Sequence, residues 1–191
     1  HRSTPPDKPR AGLNDREREL VLGCFTDPTY HDTRDRAFVA VAMATGLRFE
    51  EILELPLSSF DRLHGELVIR GKGNRVRTAR LSPRALKYVR AYLKDRPASD
   101  SDRLWLTEYG QPLTYQGGYS IIKRIRRKSG VDRIHWHLFR HGFAQHALVA
   151  GAHQGLVQEM LGHASPAMTR KYLGYVKQRE AARQMPQFSP I

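Results

Sequence analysis

A chain of 191 residues with 40% hydrophobic content is long enough for one domain with an ordinary core, and too apolar to be disordered. Its 32 Lys and Arg against 19 Asp and Glu leave a formal charge of +13, an excess that implies a polyanionic partner. No apolar run approaches the roughly 20 residues of a membrane span and no signal-peptide pattern opens the chain; the single Cys24 excludes an intramolecular disulfide and a cysteine-based zinc module.

His1 to Gly12 contains Pro5, Pro6 and Pro9 without apolar periodicity, and reads as a linker that follows another segment. Asn14 or Asp15 is placed to cap a helix running to about Phe25, whose apolar stretch makes Cys24 a buried structural thiol. A second helix is expected over Asp35 to Ala44, with Phe38, Val39, Ala42 and Met43 on its apolar face and Thr45-Gly46 as its end. Helical spacing resumes from Leu47 to Leu55, which sets Arg48 at a helix start just after a glycine turn. Glu66 to Arg70 and Arg75 to Arg80 predict two strands, joined by a hairpin turn over Gly71-Lys72-Gly73-Asn74. Ser82-Pro83 opens the next helix, with Leu86, Val89, Tyr92 and Leu93 at helical spacing, and Pro97 limits it. The remainder is largely helical: Tyr115 to Lys128, about His137 to Ala150, Ala152 to Leu161, and Pro166 to Val176, with Gly151 and Gly162 as stops. The expected class is α+β, mainly helical with a small antiparallel sheet.

The basic residues cluster. From Arg70 to Arg90 there are eight and no acid, and Lys123-Arg124-Ile125-Arg126-Arg127-Lys128 forms a second group. A charge run is often only a solvated face. Two such runs in a chain already this basic favour phosphate contacts, for which Arg70, Arg75, Arg77, Lys123, Arg124, Arg126 and Arg127 are the candidates.

Metal-free cleavage of a phosphodiester needs a nucleophile in line with the leaving oxygen, fixed cations on the non-bridging oxygens, and an acid for the leaving alkoxide. Arginine suits the second task because its planar fork donates parallel bonds and stays charged. Tyrosine suits the first because its phenol reaches far and yields a covalent phosphoester. The chain holds Thr45-Gly46-Leu47-Arg48-Phe49-Glu50-Glu51, then Gly71-Lys72-Gly73, then His137-Leu138-Phe139-Arg140-His141, then Leu161-Gly162-His163, with Tyr172 nine residues further on. In this order and spacing these motifs resemble the catalytic domain of the tyrosine recombinase (phage integrase) family, over about Leu13 to Val176.

The resemblance implies a site-specific recombinase that cleaves and rejoins DNA through a 3′-phosphotyrosine, with no metal, ATP or other cofactor. Arg48 and Arg140 would clamp the scissile phosphate and Tyr172 would attack it. Lys72 would protonate the leaving oxygen, His137 would assist proton transfer, and His163 would donate to a phosphate oxygen. Glu51 would support the site without touching DNA. The implied partners are double-stranded DNA, further copies of the chain in a tetramer on two DNA sites, and accessory DNA-bending proteins. The implied setting is the cytoplasm of a prokaryote or phage host, at the nucleoid. Residues 1–12 would link to a missing N-terminal DNA-binding domain, and residues 177–191 would form a tail that can contact a neighbouring subunit.

Several residues have blander readings. A lysine between glycines is usually a solvated turn residue, and Tyr175 competes with Tyr172 as nucleophile; the spacing from His163 favours Tyr172. His137 and His141 stand four apart, a spacing that on a helix also suits zinc, but Arg140 beside them disfavours a cation. His141 is therefore expected to support the site. The chain departs from the family pattern in Phe49-Glu50, where an aliphatic residue and then Ser or Gly is usual, in Phe139 for leucine, and in Gly142 for Thr or Ser. A type IB topoisomerase shares the chemistry, and a non-catalytic DNA-binding module would share the fold.

Overall fold

The computed structural model describes residues 11–71, 76–162, 169–170, 172–174 and 176–177. Helix α1 (Asp15–Gly23) begins at Asn14, whose side chain accepts from the Glu17 amide while Glu17 reaches back to the Asn14 amide, a capping box. Cys24 follows it half-buried, its Sγ on the Val21 carbonyl. Helix α2 (Tyr30–Thr45) starts before the expected Asp35, because Thr29 caps it by accepting from the Asp32 amide. Residues Ala37 to Ala42 are all buried, and α2 packs on α4 (Pro83–Asp95) and α6 (Trp136–Val149).

The start of α2 buries charge as well. Asp35 is 1% exposed and accepts from Arg34 through Nε (2.9 Å) and Nη2 (2.8 Å), and from Arg124 Nε (2.7 Å) on α5 (Tyr115–Ser129). Removing ions from water costs several kcal/mol each, which is tolerable only where every charge has such partners. The triad therefore fixes the register of α5 on α2.

Strands β1 (Phe60–Asp61), β2 (Glu66–Arg70) and β3 (Val76–Arg80) form an antiparallel sheet in that order, with Leu67 opposite Ala79 and Ile69 opposite Arg77. Two residues are too few to show an alternation, so β1 carries no readable strand signal. Leu67 and Ile69 are buried, and their cross-strand partners Ala79 and Arg77 share that face.

Helix α3 (Phe49–Leu53) is too short to be stable alone. Packing pins it: Phe49 stacks on Trp136 with centroids 5.0 Å apart and planes at 12°, and Trp105 Nε1 donates to the Ile52 carbonyl at 2.8 Å. A β-carbon on Gly118 of α5 would lie 2.5 Å from the Phe49 ring, so glycine there gives the bulky Phe49 its room. The unusual phenylalanine after Arg48 is thus a core residue with its own accommodation, and Glu50 beside it is exposed.

Helix α7 (Gln154–Leu161) is capped by His153, whose Nδ1 accepts from the Leu156 amide. Ala144, Leu148, Val157 and Leu161 make a second apolar cluster between α6 and α7, against which Tyr172, Leu173 and Val176 pack. Thr169, Arg170, Tyr172 to Gly174, Val176 and Lys177 are helical, so this cluster seats the segment that carries Tyr172. Among the described residues no helix is long and apolar enough to cross a membrane.

Candidate active site

Arg48 is the residue just before α3, and Glu51 lies one turn on. That spacing turns the carboxylate back: Glu51 Oε2 accepts from the Arg48 amide at 2.8 Å and Oε1 from Arg48 Nη1 at 3.1 Å. Glu51 Oε2 also accepts from Arg77 Nη2 at 2.8 Å. Burial alone would raise the Glu51 pKa, but the Arg77 bond, the Arg48 amide and both charges hold it below the ordinary glutamate value. Arg48 Nη2 donates to the Gly162 carbonyl at 3.3 Å, and about a third of the side chain stays exposed. Arg48, Glu51 and Arg77 sit at one side of an open cleft of about 1490 Å³ between α3, the sheet and the end of α7.

Arg140 on α6 is 5% exposed. Its Nη1 donates to the Gly46 carbonyl and its Nη2 to the Leu161 carbonyl, both at 2.8 Å. Gly46 ends α2 and Leu161 ends α7, so one guanidinium holds together the ends of two helices. Burial, with Arg48 nearby, pushes the Arg140 pKa down to about 10, while Glu51 and Tyr172 oppose the fall. The group remains cationic at neutral pH.

The Tyr172 hydroxyl is 2.8 Å from His141 Nδ1, with ring centroids 5.3 Å apart. Burial raises the phenol pKa while Arg140 and Arg48 lower it, so both arginines lie within electrostatic reach of this oxygen. His137 is exposed one turn earlier on α6, its ring 6.4 Å from that of His141. The structure thus brings Arg48, Glu51, Arg140 and Tyr172 into one neighbourhood, with His137 at its margin. Lys72, Arg75, His163 and Tyr175 lie outside the described residues. His141, expected only as support, touches the nucleophile candidate directly; the signal available was its position beside Arg140, one helical turn after His137.

A family model described as the phage integrase family matches residues 17–179. The chain belongs to that family. Among curated relatives, the Tyrosine recombinase XerD of Listeria innocua is 34% identical over 174 residues, 87% of this chain and 59% of the relative. The Tyrosine recombinase XerC of Roseiflexus sp. (strain RS-1) is 34% identical over 173 residues, 87% of the chain and 55% of the relative. This phage integrase family chain spans less than two thirds of the length of those relatives. A crystal structure of XerA recombinase superposes with a TM-score of 0.81 at 26% identity, covering 94% of this chain and 66% of that one. The XerH site-specific recombinase, in a post-cleavage complex with a palindromic difH substrate, gives 0.81 at 27%, covering 98% and 56%. The fold expectation, mainly helical with a small antiparallel sheet, is met.

The basic residues fall into two groups, paired and exposed. Arg77, bound to Glu51, and Arg124, bound to Asp35, were both expected to contact a DNA phosphate; their side chains are 15% and 27% exposed and engaged in ion pairs within the protein. Arg126 holds the Ile134 carbonyl through Nε at 2.8 Å while the residue stays exposed. Arg70, Lys123 and Arg127 are exposed.

Proposed function

We propose that this domain cleaves and rejoins double-stranded DNA as part of a site-specific recombinase. The observation that carries the reading is the Tyr172 hydroxyl, hydrogen-bonded to His141 and within the field of Arg140 and Arg48. The raised phenol pKa keeps this oxygen protonated at rest, so attack requires a proton acceptor, and His141 Nδ1 is at hand. As the phenol oxygen bonds to phosphorus, its proton passes to His141 and the bond to the 5′-oxygen breaks. Arg48 and Arg140 stabilise the charge on the non-bridging oxygens. Lys72 supplies the proton to the departing 5′-oxygen, His163 donates to the phosphate, and exposed His137 relays protons at the margin. The 5′-hydroxyl of a partner strand then attacks phosphorus, displaces Tyr172 and reseals the backbone.

Exposed Arg70, Lys123, Arg126 and Arg127 supply the phosphate contacts that orient the duplex. Kinship with XerC and XerD of bacteria, and the DNA-bound state of XerH, support DNA as the partner. Assembly of four copies on two DNA sites, in the cytoplasm of a prokaryotic cell, is proposed with it. Residues 177–191 are proposed to reach a neighbouring subunit, and accessory DNA-bending proteins to assist.

Tyr172→Phe tests the reading. The variant should bind duplex DNA as the wild type does, yet form no covalent adduct with a nicked duplex pool. Adducts that persist in the variant would reassign the nucleophile. Relaxation of an arbitrary supercoiled plasmid by the wild type would move the reading to a type IB topoisomerase.

A further inference from the structure

We infer that Arg77 is a positioning residue that holds Arg48 in place for the scissile phosphate and couples the β2–β3 hairpin to the end of α7. This rests on the recombinase reading above. Three observations converge on its guanidinium. Ile69 is 2% exposed, and Arg77 is its cross-strand partner, so the side chain enters on the buried face of the sheet. There Nη2 donates to Glu51 Oε2 at 2.8 Å, and the same oxygen accepts the Arg48 amide at 2.8 Å. The other side of the guanidinium lies against Gly162: a β-carbon on Gly162 would be 2.8 Å from Arg77 Nη1 and 3.0 Å from Cζ.

Gly162 adopts φ 62°, and its carbonyl lies 3.3 Å from Arg48 Nη2. Arg77 therefore meets Arg48 from two directions, through the carboxylate that orients its backbone and through the residue whose carbonyl receives its guanidinium. Arg77 is the second residue of β3 and stands five residues after Lys72 in the chain, and Gly162 immediately precedes His163. Three chain segments that bear proposed catalytic groups thus converge on one side chain. Only a flat fork can bond Glu51 with one nitrogen while its plane lies on a bare α-carbon. Lysine retains the charge but has no plane to set against Gly162.

The rival role is the one its position in a basic run suggested, a contact to a DNA phosphate. The two roles separate by salt. Losing one phosphate contact lowers the slope of log K against log salt by about 0.9, whereas losing a positioning residue leaves it unchanged.

The test uses Arg77→Gln and Arg77→Lys, the second keeping the charge in case the first fails to fold. Each is exposed without DNA to phenylglyoxal, an arginine-selective reagent, and modified sites are mapped by mass spectrometry. Arg48 should react about tenfold faster than in wild type, the scale expected for losing one coupled partner. Arg34, buried in the Asp35 triad, should stay protected and so report an intact fold. On duplexes captured by the wild type, single-turnover cleavage should fall about a hundredfold, as for a misplaced catalytic group. Affinity for a random-sequence duplex, and its salt slope, should hold. Unchanged Arg48 reactivity in Arg77→Lys, or a salt slope lower by about one, would overturn the inference. Should the wild type capture no DNA, the recombinase reading falls, while Arg48 reactivity still decides whether Arg77 positions it.

Discussion

Arg140→Lys separates charge from geometry at the most buried cation of the site. The wild-type guanidinium makes two charge-assisted bonds, to the Gly46 and Leu161 carbonyls, each at 2.8 Å. Such bonds contribute about 1.5–3 kcal/mol each, and a buried carbonyl left without a donor costs about 1–3 kcal/mol. One ammonium cannot replace two nitrogens spread across a planar fork, so at least one of these bonds is lost. The expected destabilisation is about 2–4 kcal/mol, a large share of a typical domain stability of about 5–15 kcal/mol. With a urea m-value of about 2 kcal/mol/M, the unfolding midpoint should fall by about 1–2 M. Covalent attachment to DNA should fall at least about a hundredfold, the scale of removing one fixed donor from a developing anion. A midpoint shift worth less than about 0.5 kcal/mol would refute the claim that Arg140 ties the ends of α2 and α7 together.

Three further outcomes follow from the same contacts. Asp35→Ala leaves Arg34, 3% exposed, without its carboxylate, and should cost about 3–5 kcal/mol in urea unfolding. The Glu51 carboxyl is held below its ordinary value of 4.5, so its stabilisation is complete above that pH and is lost as pH falls through the lower folded-state value. The wild type should therefore lose stability more steeply below about pH 4.5 than Glu51→Gln does, read as urea midpoints at pH 7 and pH 3. Burial pushes the Cys24 thiol up to about 11, so iodoacetamide at pH 8 should modify it far more slowly in the folded protein than in urea.

Much of this arrangement was legible in the sequence because its signals are local. The helix over residues 83–95 is announced by Ser82-Pro83 and stopped before Pro97, and the structure places α4 there. Arg48 was expected at a helix start with Glu51 one turn on, and α3 begins where that pairing requires. What escaped reading depends on tertiary partners. Strand β1 exists only through its pairing with β2, and the early start of α2 depends on the Thr29 cap. Arg124 sits in a run of cations that reads as a solvated face, yet its partner Asp35 is 89 residues away. Arg77 shows both sides of the limit. Its charge pointed outward to DNA, whereas pairing against the strand holding Leu67 and Ile69 puts residues 77 and 79 on the inner face. An alternation weighed against the facing strand would have found it; a charge count could not.

Covalent capture on DNA decides whether Tyr172 is the nucleophile. Nicked suicide duplexes from a pooled library and from source DNA would be incubated with the protein, denatured and purified with any protein still attached. The linked peptide would then be mapped by mass spectrometry. The expected result is a DNA 3′-phosphoryl end joined to the Tyr172 hydroxyl. Attachment at Tyr175, or no attachment at all, would contradict that assignment.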